Sequence, residues 1–97
     1  MAVVELHTFR LRPDADEAEF RAADYRVQTE FIPNHPGFLR RTTARGGDGD
    51  WLVVVLWGSE ADAEASLQRA AADPVAGAFL AFVEPDSYST ARYATLD

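Results

Sequence analysis

The chain opens on an alternation. Over residues 2–12, Val3, Glu5, His7, Phe9 and Leu11 share one side of an extended backbone, and Val4, Leu6, Thr8 and Arg10 share the other. A period of two is the signature of a β-strand, and Pro13, which has no N–H to give a ladder, ends it. The period then changes. Phe20, Ala23, Val27 and Phe31 recur three or four residues apart, which predicts a helix over 14–32 with that stripe buried. Asp14 or Asp16 caps this helix, and Asp16, Glu17 and Glu19 suit its positive N-terminal end. Asp24 and Gln28 border the stripe, and Pro33 with the Asn34-His35-Pro36-Gly37 run stops the helix.

A second, more polar strand is predicted over 38–45, followed by a glycine-rich hairpin turn at 46–50. The third strand, Trp51 to Trp57, is apolar on both faces, so both faces need cover. Ser59 predicts a helix cap with Asp62 three residues on. That helix runs through Arg69, with Ala63, Leu67 and Ala70 inward, until Asp73-Pro74 interrupts it. A further helical piece, Val75 to Val83, carries Phe79, Leu80 and Phe82. Glu84-Pro85-Asp86 is another stop, and residues 87–96 form a last strand with Tyr88 and Tyr93 on opposite faces.

The order β-α-β-β-α-β defines an α+β, ferredoxin-like fold: a four-stranded antiparallel sheet with its helices on one face. The whole chain, 1–97, reads as a single domain. The helix-free face then carries Val4, Leu6, Leu52, Val54 and Leu56, a patch that monomers rarely leave in water. Burying several hundred Å² of it, at roughly 25 cal/mol per Å², would contribute on the order of 10 kcal/mol before association costs. The partner implied is a second copy of the chain, sheet against sheet.

Composition narrows the function classes. Of the residues 47% are hydrophobic, more than one small core needs, which agrees with self-association. The net charge of −7 repels phosphate backbones and anionic bilayers, so neither nucleic acid nor membrane is an expected partner. With no cysteine, disulfide and thiolate chemistry are excluded. There is no apolar run long enough to span a bilayer, and Met1 leads straight into a strand pattern. A cytoplasmic protein is the expectation.

Three stretches carry a family resemblance: Phe9 to Phe20, FRLRPDADEAEF; the HPGFLRRTTAR run from His35; and VVVLWGSEADAEASL, Val53 to Leu67, followed by ADPVAGAFLAF. Together they resemble the dimeric α+β barrel superfamily, and within it the antibiotic biosynthesis monooxygenase family. The resemblance implies a pocket between sheet and helices that takes a flat aromatic or polyketide-type ligand, and insertion of oxygen with no cofactor. Heme-degrading members of the superfamily supply an iron-binding histidine from the second helical region. Here that region reads DPVAGAFLAFV and holds no histidine, so a heme role is not expected.

His7 is the leading candidate for chemistry. It lies on the strand face expected to meet the helices, where a neutral imidazole can take a proton from a phenol; the alternative is a structural histidine. Asp24, if inward, needs a partner. His7 or an arginine would serve, and with His7 it would fix the imidazole tautomer. Glu5 shares the face of His7 and either lines the cavity mouth or pairs with Arg12 or an arginine of another strand. Trp57 either stacks on a planar ligand or is core. Gln28, Phe79 and Tyr88 complete the expected ligand contacts, although the sequence leaves open whether Tyr88 or Tyr93 reaches the pocket. His35 stands in a loop, where a solitary histidine is ordinarily solvated. Metal binding is not expected: the only histidines are His7 and His35, and Glu5-x-His7 offers two ligands at most. No phosphate-binding glycine loop or nucleophile elbow is present. The same pocket is also compatible with a cyclase or isomerase that moves protons alone, and with a ligand-binding dimer that is not catalytic.

Overall fold

A computed structural model describes residues 1–96. Strand β1 is Val3–Arg10, and helix α1 follows at Glu17–Arg26. Asp16 caps α1 by accepting from the Glu19 backbone N–H, as its carboxylate and the acidic first turn lead one to expect. The predicted helix starts later than Asp14 and changes character at its end. Over Val27–Phe31 it widens into a π-helical turn, with the Ile32 N–H bonded to the Val27 carbonyl at 3.0 Å. The Thr29 hydroxyl donates back to the Tyr25 carbonyl at 2.8 Å, a local competitor for a backbone bond.

Strands β2, Phe38–Arg45, and β3, Asp50–Trp57, form the predicted hairpin. Helix α2 spans Glu60–Ala70 and α3 spans Pro74–Leu80. A 3₁₀ turn at Pro85–Ser87 leads into β4, Ser89–Ala94, shorter than predicted because Pro85 fixes the preceding turn. The sheet is antiparallel throughout, in the order β2-β3-β1-β4. The ferredoxin-like α+β architecture is the one expected from the order of elements.

All helices cover one face of the sheet. Phe9, Val53, Val55 and Trp57 point into the helix layer and are buried, as are Phe20 and Val27 from α1, Ala63 from α2 and Phe79 from α3. Phe20 is the fully enclosed centre, edge-on to Trp51 with ring centres 4.9 Å apart and near Phe79 at 5.3 Å. One prediction fails on α2. Leu67 is exposed, and Ser66 takes the buried position three residues after Ala63. The helix turns its serine toward the sheet and leaves the leucine at the rim.

Among the described residues, no helix covers the other face of the sheet. Val4 pairs with Leu56, Leu6 with Val54 and Thr8 with Leu52, while Tyr93 stands beside Val4 from β4. These apolar side chains stay half-exposed, and Tyr93 is exposed. Among the described residues, no helix is long and apolar enough to cross a membrane.

Candidate functional site

Register places the chemistry. Two adjacent rungs cross the sheet on its helix side: Arg41, Val55, Glu5 and Arg92 in one, Thr43, Val53, His7 and Thr90 in the next. Glu5 is buried, at 4% of its free exposure, yet its carboxylate is fully used. Oε1 accepts from His7 Nε2 at 2.8 Å and from Trp57 Nε1 at 3.3 Å, and Oε2 accepts from Arg92 Nε at 2.8 Å. Burial alone would push the Glu5 pKa up. The hydrogen bonds from His7, Arg92 and Trp57, with the charge His7 can carry, outweigh it and hold the carboxyl below its ordinary value.

An ionised carboxylate can only accept, which fixes the proton of a neutral His7 on Nε2. Nδ1 then presents its lone pair to the Tyr88 hydroxyl, 2.5 Å away, with Thr90 Oγ1 at 3.3 Å. Tyr88 lies flat on Phe9, the ring centres 6.2 Å apart. Its phenol is held above the usual tyrosine value, chiefly by burial and further by the negative charge of Glu5. The result is a continuous chain, Glu5 to His7 to Tyr88, with the carboxylate inside and the phenol outside.

This chain opens into a cleft of about 120 Å³ between sheet and helices. Glu5, His7, Arg41, Val53, Val55 and Trp57 form its sheet floor. The π-turn contributes Val27 and Phe31, and α2 and α3 add Ser66, Leu67, Ala76, Phe79 and Leu80. The walls are largely apolar with few polar groups, the ordinary character of a small-molecule site.

The predicted site residues divide. His7, Glu5, Trp57, Phe79 and Tyr88 meet in the cleft, and between the two tyrosines it is Tyr88 that reaches it. Glu5 pairs with an arginine of another strand, Arg92, rather than with Arg12, which donates to the Ala81 carbonyl. Two expectations need correction. Asp24 does not orient His7: its carboxylate accepts from Arg41 Nη2 and from the Thr43 hydroxyl, both at 2.8 Å. Gln28 does not line the cleft either: its amide oxygen accepts from Arg41 Nη1 at 3.2 Å. Both line a separate polar groove between α1 and β2. Arg41, its guanidinium 5.7 Å from the centre of the Phe79 ring, is the partition between that groove and the cleft. The orienting carboxylate is therefore Glu5, two residues from His7 on the same strand face.

Sequence reasoning passed over Arg41, Ser66 and Arg92. The signal for Arg92 was its strand position, an even number of residues from Tyr88 and so on the same face. Ser66 could have been found from its helical spacing to Ala63. Among the described residues, no three His, Cys, Asp or Glu side chains gather as metal ligands.

No family model matches the sequence, and no curated protein matches it. Solved structures do. SnoaB of Streptomyces nogalater, a cofactor-independent oxygenase, superposes in its N63A mutant form with a TM-score of 0.79 at 20% identity, covering 99% of this chain and 94% of its own. A Bordetella bronchiseptica protein bearing the name "Putative antibiotic biosynthesis monooxygenase" gives a TM-score of 0.80 at 13% identity, covering 98% of this chain and 97% of its own. Rv0793 of Mycobacterium tuberculosis gives 0.71 at 18% identity, with 100% and 97% covered. The protomer fold is thus the one shared by structures named antibiotic biosynthesis monooxygenases. At these identities the likeness establishes the fold.

Proposed function

We propose that this chain is a single-domain, cofactor-independent oxygenase of the antibiotic biosynthesis monooxygenase type, acting on a small, flat hydroxyarene or polyketide-type compound. The observation that carries the reading is the Glu5–His7–Tyr88 chain ending in an apolar cleft. The oxygenase named among the structural neighbours supports the choice of chemistry.

The geometry gives each group a task. The substrate hydroxyl passes its proton to the Tyr88 oxygen while the Tyr88 proton moves to His7 Nδ1. Glu5 stabilises the imidazolium that forms. Trp57 and Phe79 offer apolar walls to the ring system. The anion of an electron-rich substrate such as a hydroquinone or an anthrone is the reductant that passes one electron to O2. Recombination of the aryl radical with superoxide forms a carbon–oxygen bond at a ring carbon bearing hydrogen, and the peroxide regains the proton from His7. Loss of water leaves a carbonyl, so one O2 yields one carbonyl oxygen and one water.

The test is oxygen consumption by purified protein with a panel of hydroquinones and anthrones in the presence of chelator. Turnover is expected, falling about 10²-fold or more in His7→Ala and less steeply in Tyr88→Phe, which keeps the ring but breaks the relay. No turnover above buffer across the panel would refute the oxygenase. The relay itself favours a second reading, a cyclase or isomerase, because it moves protons without needing oxygen. Product formation under anaerobic conditions would select that reading.

The working form in this proposal is a homodimer through the helix-free sheet face and a cytoplasmic protein. The reading is supported by the row of half-exposed Val4, Leu6, Leu52, Val54 and Leu56.

A further inference from the structure

The cleft has a second polar feature that the Glu5–His7–Tyr88 chain does not use. Ser66 sits on α2, in the roof opposite the sheet floor that bears His7. It is buried, and its Oγ lies 2.7 Å from His35 Nδ1. His35 reaches it from the loop after the π-turn, where its ring meets Phe31 edge-on with centres 4.4 Å apart.

The loop is held firmly. Gly37, at φ +78°, accepts from the Gly58 N–H through its carbonyl at 2.7 Å and lies against Asp62 of α2. Burial and then the Arg69 charge push the His35 pKa down against a smaller opposing effect of Asp73, which favours the neutral imidazole. A neutral imidazole and a hydroxyl share one proton. If Ser66 donates to Nδ1, its oxygen is left to accept from a ligand; if Nδ1–H donates, the serine proton is left to give. In either case Ser66 offers one hydrogen bond to an oxygen function in the cleft.

We propose that Ser66, positioned by His35, is a specificity-determining contact, and that the ligand is an aromatic compound with oxygen functions at two ends. One end meets Tyr88 and His7 at the floor; the other, a hydroxyl or carbonyl, meets Ser66 at the roof. The proposal rests on the cleft being the ligand site, and it adds the two-ended character of what binds there. An apolar residue at position 66 would make the same wall without discriminating. A ligand that lacks the second oxygen leaves the buried serine half-satisfied, which is how polar sites reject analogues.

The experiment compares two probes of one shape, 2-naphthol and naphthalene-2,6-diol, by quenching of tryptophan fluorescence, since Trp57 lines the cleft. Wild-type protein is expected to bind the diol about three- to tenfold more tightly, the worth of one net hydrogen bond. In Ser66→Ala the ratio of the two affinities is expected to fall to about one. The wild-type ratio is informative without any variant. Equal binding of both probes by wild type, or a preference that survives Ser66→Ala, overturns the two-ended ligand while leaving the cleft reading standing. Binding of neither probe overturns both.

Discussion

Replacing Glu5 by glutamine keeps the volume of the side chain and removes its charge, which isolates what the carboxylate does. Three donors converge on it, from His7, Trp57 and Arg92. Glutamine has one accepting oxygen and two N–H groups, so it cannot satisfy all three. With its oxygen toward His7 and Trp57, its NH2 faces the Arg92 Nε–H. Turned the other way, its NH2 faces Trp57 Nε1–H, and His7 must move its proton to Nδ1, reversing the hydrogen bond with Tyr88. Removing one member of a fully buried ion pair costs about 3–5 kcal/mol. Arg92 keeps Glu64 as a partner at 3.0 Å and is partly solvated, so the loss is smaller. We expect about 2–3 kcal/mol, in the range of hydrogen bonds to charged groups. In a domain of this size that lowers Tm by about 10–20 °C.

Urea unfolding followed by tryptophan fluorescence measures this difference, and nitrogen NMR of the imidazole reports the tautomer. The acid dependence has a definite sign. The folded-state pKa of Glu5 is lowered, so its contribution is present above the unfolded value of about 4.3 and is lost as pH falls through the folded value. The gap between wild type and Glu5→Gln should therefore be present at neutral pH and close in acid. A difference below about 1 kcal/mol at neutral pH would refute the reasoning, as would a gap that widens in acid.

Two further perturbations probe the frame around the site. Gly37→Ala would place a Cβ 2.0 Å from Asp62 Oδ2 at a φ of +78°, so the Asp62 side chain must leave the Ser59 hydroxyl and the backbone is strained; a loss of about 2–4 kcal/mol is expected in the same unfolding assay, and wild-type stability would contradict it. Val54→Lys puts a charge in the middle of the helix-free face, and sedimentation should show the proposed wild-type dimer replaced by monomers that still bind naphthalene-2,6-diol; a monomeric wild type, or a variant that stays dimeric, contradicts association through this face.

The fold was legible because each strand and helix states its period locally. Val3 to Leu11 alternates, Phe20 to Phe31 repeats at helical spacing, and Pro13, Pro33 and Pro85 punctuate. The site was legible only in part. His7 and Glu5 share a strand face, so two residues of sequence settle their proximity. Asp24 was misassigned because bordering a helix stripe fixes a side chain's angle only loosely, and a buried arginine from β2 stood nearer than His7. That competition depends on pairing Arg41 with Val55, a register no local pattern specifies. Ser66 and His35 lie 31 residues apart in the chain, and their meeting depends on a loop held by Gly37 against α2.

The π-turn sets the winding of the chain that follows it. A regular α-helix advances about 100° and 1.5 Å per residue, so the surplus residue within Val27–Phe31 rotates everything after it by one such step. Shortening that turn by one amino acid would restore regular winding and swing Ile32 and the His35 loop around the axis. The wall that Phe31 and Ile32 give the hollow beneath would then be reshaped, though no residue of its floor had changed. Capacity for a guest in so small a protein can thus be altered by a one-codon insertion or deletion, a route by which related chains could alternate between interiors of different shape.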